Sequence, residues 1–249
     1  MSDFKQQENF FDEFEDEEIE FIEYDIDEEA EEYHDDVAAL SKEARRQQEK
    51  AEFSWKKEII SWVWMLVIAV GIAAFVNYFI LINAYVPTGS MEQTIHAESR
   101  MIGLRLAYTF SEPERGDIVV FPNPFNSDED YVKRIIGLPG ETVVIDNYEI
   151  YIYDSEGNLK IGPLDEPYIN GKWVKKGEAY EFHVPEDSYL MLGDNRNNSY
   201  DARGWYEYVQ NSNGEYTEDM IYIKRDKILG QALFAYWPSF SVFDDVTYE

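Results

Sequence analysis

The pattern of apolar and polar positions divides the chain into parts with different periodicities. Residues 59–82 read IISWVWMLVIAVGIAAFVNYFILI, 24 positions without one charged side chain. At about 1.5 Å of rise per residue, such a run crosses a bilayer core of about 30 Å with some tilt. It predicts a single transmembrane helix. Ser61 and Asn77 fall near its ends, and Trp62, Trp64, Tyr78 and Tyr85 suit the interfacial belts. Residues 37–58, dominated by Ala, Leu, Glu, Lys, Arg and Gln, predict a helix leading into the membrane. In residues 1–36 single apolar side chains, such as Phe4, Phe14, Ile19 and Tyr24, are interleaved with carboxylates. That pattern cannot build a core and predicts a disordered tail.

Beyond the apolar run the pattern changes to short strand-like stretches separated by turn residues. Strands are predicted at 118–121, ended by Pro122 and Pro124, and at 131–136, ended by Gly137, Pro139 and Gly140. Residues 142–153 alternate about Asp146-Asn147 and predict a hairpin. Further strands are predicted at 180–184, 188–192 and 221–223, with 154–178 and 209–218 as polar, Gly- and Asn-containing loops. With no amphipathic helix in the pattern, residues 84–249 are expected to form a mainly β, sandwich- or barrel-like domain.

Charge adds an orientation. The formal net charge is −30, of which residues 1–36 carry −17, from eighteen Asp and Glu against one Lys. Residues 37–58 hold six basic and four acidic side chains, and residues from 84 onward hold fourteen and twenty-nine. Lys56 and Lys57 directly precede the apolar run and the first basic residue after it is Arg100. Counting Lys and Arg places the N-terminus in the cytoplasm and the β domain outside. No basic stripe exists for a nucleic-acid partner. The chain has no cysteine, which excludes disulfides, thiolate metal sites and a thiol nucleophile. His34, His96 and His183 lack the paired spacing of a His-based metal site, and no cofactor is implied.

Three clusters carry candidate chemistry. In Val86-Pro87-Thr88-Gly89-Ser90-Met91, Pro fixes the approach and Gly relaxes the backbone, so Ser90 sits either in an ordinary surface turn or on a rigid turn that presents a nucleophile. In Tyr131-Val132-Lys133-Arg134-Ile135-Ile136, strand periodicity puts Tyr131, Lys133 and Ile135 on one face. Lys133 is then either an edge-strand lysine with its ammonium in water, or a desolvated amine able to take a proton from Ser90. Residues 193–205, GDNRNNSYDARGW, suit a loop in which Asp and Arg pair. As a calcium loop it fails at Arg196, which cannot coordinate a cation.

Together PTGSM at Ser90, RGDIVVF from Arg115, YVKRIIGLPGE from Tyr131 and GDNRNNSYDARGW from Gly193 resemble the ordered boxes of type I signal peptidase, the bacterial Ser-Lys leader peptidase. The resemblance runs from Pro87 to Trp205, with the anchor just upstream. It implies Ser90 as nucleophile and Lys133 as general base. It implies Thr88, where the family often has serine, as an oxyanion-hole donor beside the Ser90 N–H. Ser199 would orient the lysine, Asp201 and Arg203 would form a supporting ion pair, and Asp194 and Arg196 would brace the loop. Met91 would touch both the site and the membrane-facing surface. Gln93, in place of a usual proline, and Ala202, in place of a common serine, depart from the pattern without removing a catalytic group. Lys133 implies the bacterial branch, and the single anchor with short loops resembles the Gram-positive type.

The implied activity is removal of N-terminal signal peptides from translocated preproteins after Ala-x-Ala-like sites. The implied setting is the cell membrane, single-pass, with proximity to the secretion translocase. Ser90 follows Ile82 by eight residues, so an extended connection of about 3.5 Å per residue keeps it within roughly 28 Å of the run's end. Substrate and enzyme held in one bilayer gain effective concentration. Two alternatives share these residues: a Ser-Lys processing protease with another target, and an inactive relative serving as a binding subunit.

Overall fold

The computed structural model describes residues 26–169, 173, 179–243, 246 and 248. A long helix, α1 (Ile26–Phe75), continues through one π-helical turn, Val76–Ile80. Within it, the stretch Asp36–Ile80 is long and apolar enough to cross a membrane by length and composition. The tail expected over residues 1–36 lies outside the described residues up to 25, while α1 already covers 26–36. Four glutamates and Ala30, all good helix formers, lie there.

The strands are β1 (Leu81–Val86), β2 (Ser99–Leu104), β3 (Ile118–Asn123), β4 (Asn126–Gly137), β5 (Thr142–Asp146), β6 (Glu149–Tyr153), β7 (Leu159–Ile161), β8 (Tyr180–His183), β9 (Ser188–Leu192), β10 (Ile223–Lys224), β11 (Gly230–Trp237) and β12 (Ser241–Val242). They form an antiparallel main sheet in the order β1-β2-β11-β3-β4-β9-β10, with β12 on β11, and a smaller sheet in the order β7-β6-β5-β8. The smaller sheet is inserted in the chain between β4 and β9. Its β5–β6 hairpin turns at Asp146–Glu149 through Asn147 and Tyr148, both at positive φ (47° and 71°), the combination a two-residue I′-type turn demands.

One apolar cluster joins Val119, Phe121, Ile135, Ile152, Phe182, Leu190, Leu192 and Trp205, and a second joins Ile82, Val86, Met91, Ile95, Met101, Ile118 and Val120. The two faces of β3 feed different clusters, as alternation requires.

Three expectations are corrected. The apolar run does not stay helical to Ile82, because Leu81 and Ile82 open β1, where Ile82 and Val86 point inward and Asn83 and Tyr85 outward. Pro122 does not end β3, which continues to Asn123. An amphipathic helix does exist: α2 (Ala202–Gln210) buries Ala202, Arg203, Trp205 and Val209, and the Asp201 carboxylate caps it by accepting from Arg203 N–H. Gly204 and the polar neighbours of Ala202 hide this helix in the sequence, while tertiary burial of Trp205 overrides the weak propensity.

Candidate active site

Three elements converge on Ser90. β1 ends at Val86, and after Thr88 in extended conformation the chain makes a short 3₁₀ turn, Gly89–Met91, packed against β4. β4 carries Lys133 and Arg134 in neighbouring positions. Leu192 of β9 pairs with Arg134, so the loop that follows β9 leaves the sheet beside both basic residues.

Lys133 Nζ donates to Ser90 Oγ at 2.7 Å and to its neighbour's carbonyl, Val132 O, at 3.2 Å. Lys133 is only 4% exposed and Ser90 only 9%. Burial pushes the lysine down to about 8, against the opposing pull of the Asp201 and Asp194 charges. The Tyr131 ring centroid lies 5.2 Å from Nζ. Near pH 8 a large share of this amine is therefore neutral, whereas an edge-strand lysine in water stays almost wholly protonated there.

The loop after β9 clamps the Ser90 turn from the backbone side. Asn195 N–H donates to Ser90 O at 3.0 Å, and Asn195 Nδ2 donates to Gly89 O at 2.8 Å. Asp194 N–H reaches Met91 Sδ at 3.4 Å, and Thr94 Oγ1 donates to Asp194 Oδ2 at 2.5 Å. The contact is so close at Gly193 that a Cβ there would stand 2.2 Å from Ser199 Oγ and 2.6 Å from Ser90 O. Only glycine lets the two backbones meet.

The loop itself is pinned by buried charges. Asp201 accepts from Arg203 Nε at 2.9 Å, from Arg203 Nη2 at 2.7 Å and from Gly193 N–H at 3.0 Å. Burial alone would raise the Asp201 carboxyl, but Arg203 overrides it and holds the group below the usual carboxylate range. Asp194 does not pair with Arg196. It forms a two-pronged pair with Arg134, and Arg196 pairs with Glu166 on the segment after β7 while donating to Gly193 O at 3.2 Å. The Trp173 ring lies 5.2 Å from the guanidinium carbons of both Arg196 and Arg203.

Of the residues singled out in the sequence, Ser90, Lys133, Met91, Asp194, Arg196, Asp201 and Arg203 belong to one contiguous network. Thr88 is exposed at the entrance to the turn. Ser199 Oγ is buried beside the Asp201 carboxylate and makes no well-formed hydrogen bond among the described residues, to Lys133 included. Met91 is fully buried in the second apolar cluster, so it does not reach a membrane-facing surface; its sulfur faces Asp194 N–H instead. Gln93, at the position of the family proline, buries an Oε1 that has no partner among the described residues. The residues missed were Asn195, Arg134, Glu166 and Thr94. Arg134 carried the same signal as Lys133, a basic residue inside an apolar strand.

Comparisons with known proteins give the family. The family described as signal peptidase, peptidase S26, matches residues 59–237. A probable signal peptidase I-2 of Synechocystis is 35% identical over 204 residues, covering 78% of this chain and 79% of that protein. Signal peptidase I S of Bacillus subtilis is 34% identical over 194 residues, covering 74% and 92%. A crystal structure of a signal peptidase I from Enterococcus faecalis is 29% identical, covering 49% of this chain and 97% of that one, with a TM-score of 0.35. The chain therefore belongs to the signal peptidase family, peptidase S26, as a serine peptidase.

Proposed function

We propose that the chain is a membrane-anchored endopeptidase that removes N-terminal signal peptides from translocated preproteins after small, Ala-x-Ala-like residues, with Ser90 as nucleophile and Lys133 as general base. The observation that carries the reading is the buried 2.7 Å contact between Lys133 Nζ and Ser90 Oγ. With the amine neutral, the bond reverses and the Ser90 hydroxyl donates to its lone pair. The Ser90 oxygen then attacks the scissile carbonyl as its proton passes to Nζ. Collapse of the tetrahedral intermediate breaks the C–N bond, and the Lys133 ammonium returns that proton to the leaving amine. Water, deprotonated by the same amine, hydrolyses the acyl-enzyme and restores the serine.

The Ser90 N–H and the Thr88 hydroxyl supply the oxyanion donors in this reading. The apolar stretch of α1 anchors the enzyme with its N-terminus in the cytoplasm. Substrate signal peptides lie in the same bilayer, with the secretion translocase nearby. Purified full-length Ser90→Ala in detergent, incubated with a preprotein and analysed by mass spectrometry, is expected to release no signal peptide. Cleavage at the wild-type rate would sink the assignment.

A further inference from the structure

The Arg134 guanidinium is held from three sides. Asp194 takes two of its hydrogen bonds, Gly116 O accepts from Nη1 at 2.7 Å, and the Tyr168 ring lies beneath it with 3.9 Å between the ring centroid and the guanidinium carbon. Two of these three supports are covered by the C-terminal end of the chain. Gly116 sits at φ +100°, and a Cβ there would stand 2.8 Å from Val246 O and 3.0 Å from Tyr248 Cε2. The half-buried Tyr248 donates its hydroxyl to Tyr168 Oη at 2.9 Å. Tyr168 in turn donates to Glu166 Oε1 at 2.6 Å, and Glu166 holds Arg196.

A continuous path thus leads from the C-terminus to the nucleophile. Tyr248 fixes Tyr168, and Tyr168 braces both Arg134, under its ring, and Arg196, through Glu166. These two arginines hold Asp194 and Gly193 O, and the next residue, Asn195, grips Ser90 O and Gly89 O. We infer that Tyr248 and Tyr168 are positioning residues that keep the Asn195 loop seated on the Ser90 turn. This rests on the reading of Ser90 and Lys133 given above. A path of packed rings and charge pairs is a suitable carrier, because each member has a definite partner to lose.

Geometry sets the size of the effect. Misplacement of a reacting group by about 1 Å costs on the order of 10²-fold in rate, so a partial loosening by one lost hydroxyl is expected to cost about tenfold. A loosened loop also admits water to the Lys133 amine, which moves its titration toward that of a solvated lysine.

The test uses the full-length chain in detergent with a preprotein substrate. Tyr248→Phe, Tyr168→Phe, the double variant and Ser90→Ala are compared by kcat, KM and the pH profile of kcat/KM. Tyr248→Phe removes only the hydroxyl of a half-buried ring, so it decides the matter even if Tyr168→Phe folds poorly. The expected result is a kcat about tenfold lower with KM within about twofold, an upward shift of the profile, and a double variant no worse than Tyr168→Phe. A wild-type kcat and profile in Tyr248→Phe, alongside an inactive Ser90→Ala, overturns the positioning role and leaves the dyad standing. An active Ser90→Ala overturns the dyad first.

Discussion

Asp194 and Arg134, 60 positions apart in the chain, close on each other through parallel hydrogen bonds of 2.9 and 2.7 Å, with both side chains almost wholly out of water. A pair so enclosed has no solvent to replace a lost partner. Arg134→Met is therefore expected to destabilise the protein by about 3–5 kcal/mol, because it strands the Asp194 carboxylate. Urea unfolding of the purified variant measures this. Arg134→Met combined with Asp194→Leu should recover part of the loss, and a single variant as stable as the parent would show that the pair contributes little.

The pH dependence follows from Lys133. Its folded value of about 8 lies below the ordinary 10.5, so the buried ammonium is a burden on the folded state at pH below 8. That burden is relieved as the pH rises from about 8 to 10.5, because the unfolded chain there holds the extra proton. For activity, kcat/KM is expected to rise about tenfold per pH unit below 8 and to level off above it. Lys133→Met should abolish cleavage and flatten the lysine's part of the stability profile. A profile whose rising limb bends near 6 instead would assign the proton transfer to another group.

Thr88 gives a separate prediction, because its hydroxyl is exposed and holds no structural bond in the network described above. Thr88→Val is expected to lower kcat by about 10²- to 10³-fold with little change in KM, the mark of a donor used mainly in the transition state. Thr88→Ser keeps the hydroxyl and should stay within about tenfold of the parent. Equal activity in the Val and Ser variants would remove Thr88 from the oxyanion hole.

Local pattern was enough for the parts of the fold whose chemistry is local. The hairpin at Asp146–Glu149 and the strands containing Ile118–Phe121, Tyr131–Ile136 and Ser188–Leu192 follow from alternation and turn residues. β1 was hidden because its inward Ile82 abuts an apolar helix, where period 2 and continuous hydrophobicity read alike. β2 and β11 were hidden by Gly103 and Gly230, whose backbones approach Gln231 O and Leu104 O too closely for a side chain.

The site shows the same division. Residue type and strand parity made Ser90 and Lys133 candidates beside the readings of a surface turn and an edge-strand lysine, and the resemblance of the ordered boxes chose between them. Which carboxylate each arginine meets could not be read in this way, since Arg134–Asp194 and Arg196–Glu166 are fixed only when β4, β9 and the inserted sheet come together. Met91 was misplaced for a related reason: a resemblance transfers identity but not depth of burial.

The adjacent basic residues of β4 have one more consequence. Lys133 serves Ser90 while Arg134, on the opposite face of the strand, serves Asp194. A slip of β4 by a single residue would exchange the faces and bring a guanidinium to the hydroxyl, and a guanidinium keeps its proton at any working pH. Strand pairing thereby decides which basic side chain meets the serine, and under the proposed mechanism the order Lys-Arg cannot be traded for Arg-Lys even though composition and charge would be unchanged.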